Sequence, residues 1–370
     1  MVNVAINGFG RIGRQAFKVW FDKHKDDPST DSTGSLQASS GPNGMRVVAV
    51  NDIVDAKTLA HLLKFDSVYG IWNRQVAAQN LLDDLKNVAD GQQVGKITVD
   101  GVQIAVYATR DPEKLPWKDL AIDVVIESTG RFTKLEEASK HITAGAKKVV
   151  VSAPARETPT ILLGVNEEMY KGQVVINNAS CTTNCIAPVA KVVQEAFGIK
   201  KAMMTTVHAV TAEQNLVDGP PPGGKAGDLR RARAAYANII PTTTGAAIAT
   251  TEAVPELAGK FDGVALRVPV PIGSLSDFTF LLAKSVTVDE VNAALRQASG
   301  DKRYEGILAV SDEPLVSSDI VGRSESAIVD LSLTQVVDGD MVKVFAWYDN
   351  EYGYSNRLVE QVIAVGNSKE

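Results

Sequence analysis

Continuous apolar runs, rather than alternating ones, punctuate the first half of the chain. Val2–Ile6, Val47–Val50, Val124–Ile126, Val149–Val151 and Val174–Ile176 are short and bounded by polar or glycine residues, as strands buried on both faces are. Arg14–Phe21, Thr58–Leu63 and Leu135–His141 carry apolar residues at helical spacing between them. Strand, helix, strand in repetition predicts a parallel sheet with helices on both faces. Lys96–Val99 and Val102–Tyr107 flank Asp100-Gly101 and predict a hairpin. Residues 75–95 are ambiguous: Ala78–Leu85 can be read as a helix, and Ala89-Asp90-Gly91 as a turn. Residues 23–44 hold too little apolar content for a core and read as a mobile surface loop.

The texture changes after Ile176. Cys181–Phe197 predicts a long helix, in which Pro188 marks a kink or a later start. Ala202–Val210, Val264–Val270, Phe278–Leu282 and Met341–Tyr348 are β-rich and widely separated, which favours a second, mostly antiparallel α+β domain. Leu358–Val365 reads as a closing helix. There is no internal repeat and no heptad run.

Composition narrows the function. The 370 residues suggest two domains. A net charge of −6 argues against broad electrostatic binding to nucleic acid or anionic lipid. Two cysteines cannot build a disulfide framework and favour a reducing compartment. No apolar run approaches the ~18 residues of a membrane span, and no basic, apolar, small-residue leader opens the chain. The expectation is a soluble, cytoplasmic protein.

Gly8-Phe9-Gly10-Arg11-Ile12-Gly13 fits G-x-G-x-x-G between a strand and a helix, the context that gives the pattern meaning. Gly8 would permit the tight turn, Gly10 the approach of a pyrophosphate, and Gly13 the packing of helix on strand. The helix N-terminus then offers free N–H groups to the phosphates. Asp52 lies farther on than the usual ~20 residues, because the polar loop intervenes. It still ends the second strand, where a carboxylate accepts from a ribose 2′-hydroxyl and repels a 2′-phosphate, so NAD is favoured. A structural alternative is a glycine turn with a capping Asp.

Ser180 is a good N-cap residue and would place Cys181 in the first turn of a helix, where the dipole favours a thiolate. Cys185 reads as a small buried hydrophobe, and no second Cys/His pair supports a metal site. Four histidines exist, His24, His61, His141 and His208. His208 is the best partner for Cys181 by elimination, the alternative being a satisfied structural histidine. Arg267 stands alone in an apolar run and calls for an anion. Arg230, Arg231 and Arg233 form a dense group that suits either a ligand or a solvated face. Thr242-Thr243-Thr244-Gly245 adds hydroxyls and a glycine backbone suited to phosphate.

Together these segments resemble phosphorylating glyceraldehyde-3-phosphate dehydrogenases. The likeness runs through Asn7–Arg14, Val50-Asn51-Asp52, Leu59–Lys64, Ala179–Pro188, Thr205–His208, Leu229–Arg233, Ile239–Ala247 and Ala346–Glu351, nearly the whole chain in order. Ser180-Cys181-Thr182-Thr183-Asn184-Cys185 is its most specific piece. The resemblance implies an α/β fold: an N-terminal Rossmann-type dinucleotide-binding domain over 1–180 with 350–370, and a mostly antiparallel α+β catalytic domain over 181–349. It implies Cys181 as nucleophile and His208 as its activator. It implies NAD contacts from Arg11, Ile12, Asp52, Arg110, Ser152 and Asn350, the last on the nicotinamide carboxamide. Thr211, Arg231 and Arg267 would bind the substrate phosphate or inorganic phosphate, and Ser180, Thr182, Thr244 and Gly245 the attacking phosphate. The implied reaction converts D-glyceraldehyde 3-phosphate and inorganic phosphate to 1,3-bisphosphoglycerate through a Cys181 thiohemiacetal and thioester, in a homotetramer. Val210, Ala212, Ile248 and the Gly- and Pro-rich 218–227 loop depart from the family's usual residues; that loop leaves NADP open as a cofactor. The alternatives are erythrose-4-phosphate dehydrogenase, aspartate-semialdehyde dehydrogenase, and a non-catalytic nucleotide-binding protein on the same fold.

Overall fold

The computed structural model describes residues 1–24, 44–82, 84–86, 88–220 and 228–368. Most of the polar loop expected over 23–44, and residues 221–227 of the Gly- and Pro-rich loop, therefore lie outside the described residues. The chain divides into two compact units. One is Met1–Ile161 with Glu168–Asn178 and Ser355–Glu370; the other is Leu162–Glu167 with Ala179–Tyr354.

In the first unit the strands are β1 (Val2–Asn7), β2 (Met45–Asn51), β3 (Phe65–Asp66), β4 (Gly70–Ile71), β5 (Val76–Asn80), β6 (Gln93–Val99), β7 (Val102–Tyr107), β8 (Val124–Glu127), β9 (Lys148–Val151) and β10 (Val175–Asn177). The helices are α1 (Arg11–Val19), α2 (Ala56–Lys64), α3 (Leu135–Ala138) and α4 (Lys140–Thr143). The main sheet runs β10-β9-β8-β1-β2-β7-β6-β5. Pairing is parallel from β10 to β7, and the predicted β6–β7 hairpin extends the sheet antiparallel. Chain order reverses between β1 and β8, the switch point at whose carboxyl edge open α/β sheets take ligands. The apolar residues of β1, β8, β9 and β10 are buried, as two-sided burial requires.

The helical option is not taken at Ala78–Asn80: Val76–Asn80 forms β5, antiparallel to β6, with half-buried and exposed residues alternating. The ladder offered by the neighbouring hairpin outweighs the helical preference of an Ala-rich stretch, and the alternation is the period of an edge strand. Residues Leu135–His141 do form helix, as the two short pieces α3 and α4.

The second unit carries β11 (Ile199–His208), β12 (Ile240–Thr243), β13 (Phe261–Arg267), β14 (Ser274–Leu282), β15 (Leu308–Ser311), β16 (Ala327–Val337) and β17 (Met341–Tyr348), with helices α5 (Cys181–Phe197), α6 (Ala246–Ala253) and α7 (Val288–Ser299). A last helix, α8 (Tyr352–Asn367), begins here, and its residues from Ser355 on belong to the first unit. The sheet order is β12-β13-β11-β14-β17-β16-β15. Only β11·β13 and β15·β16 are parallel among these neighbours, so the sheet is mostly antiparallel. Helix α5 keeps Pro188 inside its length. Its Ile186, Val189 and Val193 share a core with Phe278, Phe280, Val342 and Val344 of the sheet.

The three glycines after β1 meet different surroundings. Gly8 has φ +93°, and a Cβ there would lie 2.6 Å from the Thr129 nitrogen. A Cβ on Gly13 would lie 2.1 Å from the Gly8 carbonyl oxygen, whereas one on Gly10 would meet nothing within 4 Å. Gly13→Ala is therefore expected to lower the urea unfolding midpoint by the equivalent of about 1–3 kcal/mol through overpacking. Gly10→Ala should cost about 1 kcal/mol or less, as an N-cap substitution. Equal losses in the two variants would contradict this division of roles.

Candidate active site

The predicted cofactor residues of the first unit stand at the carboxyl ends of parallel strands. Gly8, Gly10, Arg11, Ile12 and Gly13 follow β1, Asp52 follows β2, Arg110 comes after β7, and Ser152 follows β9. Asp52 accepts the Phe9 N–H at 2.8 Å, so its carboxylate braces the glycine turn. Asn51 donates to the Asn7 amide oxygen at 2.7 Å and to the Thr109 carbonyl at 2.9 Å, and accepts the Thr109 N–H at 2.8 Å. The turns after β1, β2 and β7 are thus laced together, and exposed Arg110 rides on the last of them. Arg11 pairs with Asp66 at 2.6 Å. The open space over Gly10, beside a helix N-terminus, fits a dinucleotide pyrophosphate.

Beneath this edge lies a buried polar network. The Trp117 indole N–H can only donate, so the His141 Nδ1 at 2.9 Å accepts, which leaves the Nε2 proton for Glu127 at 3.0 Å. Glu127 also takes Asn7 Nδ2 at 2.6 Å and the Thr129 N–H at 2.8 Å. His141 is a satisfied packing histidine.

In the second unit Cys181 and His208 meet, with Sγ and Nε2 3.4 Å apart. Ser180 caps α5 by accepting the Thr183 N–H at 3.0 Å, which sets Cys181 as the first helical residue. His208 is the last residue of β11, paired in register with Arg267 of parallel β13. Equivalent positions on neighbouring strands share a face, so the lone arginine of the apolar run stands beside the histidine. Arg267 Nη1 lies 2.9 Å from His208 Nδ1, 3.1 Å from the Ala209 carbonyl oxygen and 3.3 Å from Thr211 Oγ1. The same carbonyl lies 2.7 Å from His208 Nδ1. Nδ1 cannot both donate to that oxygen and accept from the guanidinium. The two Nη1 hydrogens already have acceptors in Ala209 O and Thr211 Oγ1, so the ring proton belongs on Nδ1. The Nε2 lone pair then faces Cys181.

Arg231 donates to Thr242 Oγ1 at 3.0 Å and to Glu213 at 2.8 Å. It also reaches the Thr243 carbonyl at 3.4 Å. It thereby ties the Thr211–Glu213 segment to β12, whose end continues into Thr244 and Gly245 at the start of α6. Two other expected phosphate contacts have their hydroxyls engaged. Ser180 Oγ pairs with Thr183 Oγ1 at 2.8 Å, and Thr182 Oγ1 with Tyr348 OH at 2.9 Å. Asn350 is buried, its amide oxygen accepting from Ser274 Oγ at 3.0 Å.

Burial dominates the electrostatics. It pushes the Cys181 thiol up to about 11, against the opposing pull of the Arg267 charge. Burial, and then Arg267, take the His208 imidazole down to about 3. The expected dipole-stabilised thiolate is therefore corrected: a helix N-terminus contributes a fraction of a charge, less than the desolvation of a half-buried sulfur anion packed against the core. The pair rests as thiol and neutral imidazole. Cys185 is buried, as expected, and its thiol is also raised by burial.

Tyr348, Ser274 and Glu213 escaped the sequence reading. Tyr348 OH bridges Thr182 and Thr206, the latter at 2.8 Å, and its ring stands edge-on to His208 with centroids 6.0 Å apart. Its signal was the alternation of β17, which places it on the buried face.

The lowered His208 value carries a sign for stability. Between about 3 and the ordinary 6.5 the unfolded chain binds a proton that the folded chain does not, so this residue makes stability rise with pH across that window. His208→Asn should show a shallower rise of the urea midpoint from about pH 4 to 6.5 than the native chain. Identical slopes would contradict a neutral buried imidazole.

Known proteins match both units. The NAD binding domain of glyceraldehyde 3-phosphate dehydrogenase matches residues 2–135, and the C-terminal domain of the same family matches residues 180–350. Glyceraldehyde-3-phosphate dehydrogenase of Geobacillus stearothermophilus is 50% identical over 97% of this chain and 96% of its own length. The Mycobacterium tuberculosis protein of that name is 50% identical and the Streptomyces coelicolor one 48%, each over 99% of both chains. With its thiol–imidazole pair on one unit and its glycine cradle on the other, the chain belongs to the NAD-binding glyceraldehyde-3-phosphate dehydrogenase family.

Proposed function

We propose that this chain oxidises D-glyceraldehyde 3-phosphate with NAD and inorganic phosphate to 1,3-bisphosphoglycerate, with Cys181 as nucleophile and His208 as its acid–base partner. The observation that carries this reading is the 3.4 Å contact between Cys181 Sγ and His208 Nε2, with Arg267 beside the same imidazole. The names of the three relatives support this substrate over erythrose 4-phosphate and over a non-catalytic role.

As Cys181 Sγ attacks the aldehyde carbon, His208 Nε2 takes the thiol proton and returns it to the developing alkoxide, giving a thiohemiacetal. The Cys181 backbone N–H and protonated His208 stabilise the oxyanion on the way. Bound NAD supplies the hydride acceptor; Gly8, Gly10, Arg11, Ile12, Gly13, Asp52, Arg110, Ser152 and Asn350 would hold it. His208 accepts the hydroxyl proton as the thiohemiacetal is oxidised to the thioester. Inorganic phosphate then attacks the thioester carbon, and Cys181 leaves as thiolate and is reprotonated. Both phosphates are anions, and Arg231 and Arg267, with Thr211, Thr244, Gly245, Ser180 and Thr182, supply the cation and donor sets for two sites.

A homotetramer in the cytoplasm is the natural setting. Met203 on β11 and Val264 on β13 are 58% and 48% exposed on the sheet of the second unit, apolar area that a subunit contact would cover. No helix among the described residues is long and apolar enough to cross a membrane.

Without phosphate, mixing enzyme, aldehyde and NAD should give a burst of about one NADH per active site that then stalls, and phosphate should restore turnover. Cys181→Ser should abolish the burst and keep NAD binding. Steady turnover without phosphate would point to thioester hydrolysis instead. Asp52→Ala should raise the use of NADP relative to NAD, because it removes the negative charge that opposes a 2′-phosphate. An unchanged ratio would take Asp52 off the ribose.

A further inference from the structure

The amide of Asn350 has only one allowed orientation. The Gly273 N–H, 3.3 Å away, can only donate, so the atom facing it is the amide oxygen. Gly273 is held there by its neighbours: its φ is +94°, and a Cβ on it would lie 2.2 Å from the Ser317 carbonyl oxygen. The second donor to the same oxygen is the Ser274 hydroxyl at 3.0 Å. That hydroxyl also accepts the Ala209 N–H at 3.1 Å, so its own hydrogen is committed to Asn350. The Asn350 NH2 group is thereby directed away from Gly273 and Ser274. Asp349 clamps the adjoining turn, with one oxygen on the Glu351 and Tyr352 N–H groups and the other on the Gly322 N–H.

Ser274 is completely buried and joins two parts of the site. From Asn350 the bonds run to Ser274 Oγ, to Ala209, from the Ala209 carbonyl to His208 Nδ1, and from Nε2 to Cys181. Every donor in that series has an acceptor. We propose that Ser274 is a positioning residue for cofactor binding: it locks the Asn350 amide with its NH2 toward the carboxamide oxygen of the cofactor. This rests on the assignment of Asn350 to the nicotinamide end of NAD.

The test is a double-substitution cycle read by calorimetric titration of NAD onto the full-length enzyme, with iodoacetamide alkylation of Cys181 as a control. Ser274→Ala is expected to weaken NAD binding about tenfold, the effect of one buried hydrogen bond lost, while the Cys181 alkylation rate stays within about twofold. Asn350→Ala should weaken NAD binding as well, and adding Ser274→Ala to it should change the Kd by no more than about twofold, because a residue acting through another has nothing left to act through. Ser274→Cys, of similar size and a weaker donor, should fall between native and alanine, and it serves should the alanine variant fail to fold. Native NAD affinity in Ser274→Ala, or additive effects of the two substitutions, would overturn the proposal and leave the assignment of Asn350 standing. Native affinity in Asn350→Ala would overturn both.

Discussion

Register across the sheet of the second unit is the constraint from which the site follows. His208 pairs with Arg267 across parallel β11 and β13, and Ser274 pairs with Tyr348 across antiparallel β14 and β17. A slip of one residue in either pair would send a side chain to the opposite face. The slip is prevented by the core: Ala202, Met204, Thr206 and His208 alternate on the buried face of β11, and Ser274, Ser276, Phe278, Phe280 and Leu282 on that of β14. Side chains that never touch substrate therefore aim the imidazole. Helix α5 meets this face with its N-terminus, where Thr182 bonds Tyr348 and presents Cys181 to His208.

Burial gives the pair its resting chemistry. A thiol raised toward 11 and an imidazole lowered toward 3 are both neutral. A proton that moves between atoms 3.4 Å apart then creates two charges in the same low-dielectric place, where they stabilise each other. Arg267 acts on both members: its charge favours the thiolate and opposes the imidazolium. An anion drawn to the guanidinium would relieve the second effect.

The first unit solves a different problem with the same means. Its cofactor edge is made of turns, which carry unpaired backbone groups. Asn51, Asp52 and Glu127 satisfy several of these at Thr109, Phe9 and Thr129, and the Asn7 side chain braces Asn51 and Glu127. The glycines leave the upper side open: Gly8 and Gly13 are occupied by protein, and Gly10 alone faces space. A dinucleotide is thus met by backbone already held in place, which limits the ordering that binding must bring about.

Much of this was legible in the residues themselves. Continuous apolar runs marked the parallel strands, Asp100-Gly101 the hairpin, Ser180 the start of α5, and the glycine spacing the cradle. These are local properties, set by side-chain period, turn chemistry and caps. The stretch from Ala78 stayed ambiguous because the conformation of Val76–Asn80 is decided by the ladder of β6, a partner that local spacing does not register. Ser274, Tyr348 and Glu213 were missed for the same reason: each is an ordinary residue in its own strand or turn and gains a role only where distant segments meet. Even the thiol charge state followed this division. The sequence determined that Cys181 begins a helix; the tertiary structure determined how deeply that first turn is buried, and desolvation grows with depth while the helix terminus contributes the same fraction of a charge.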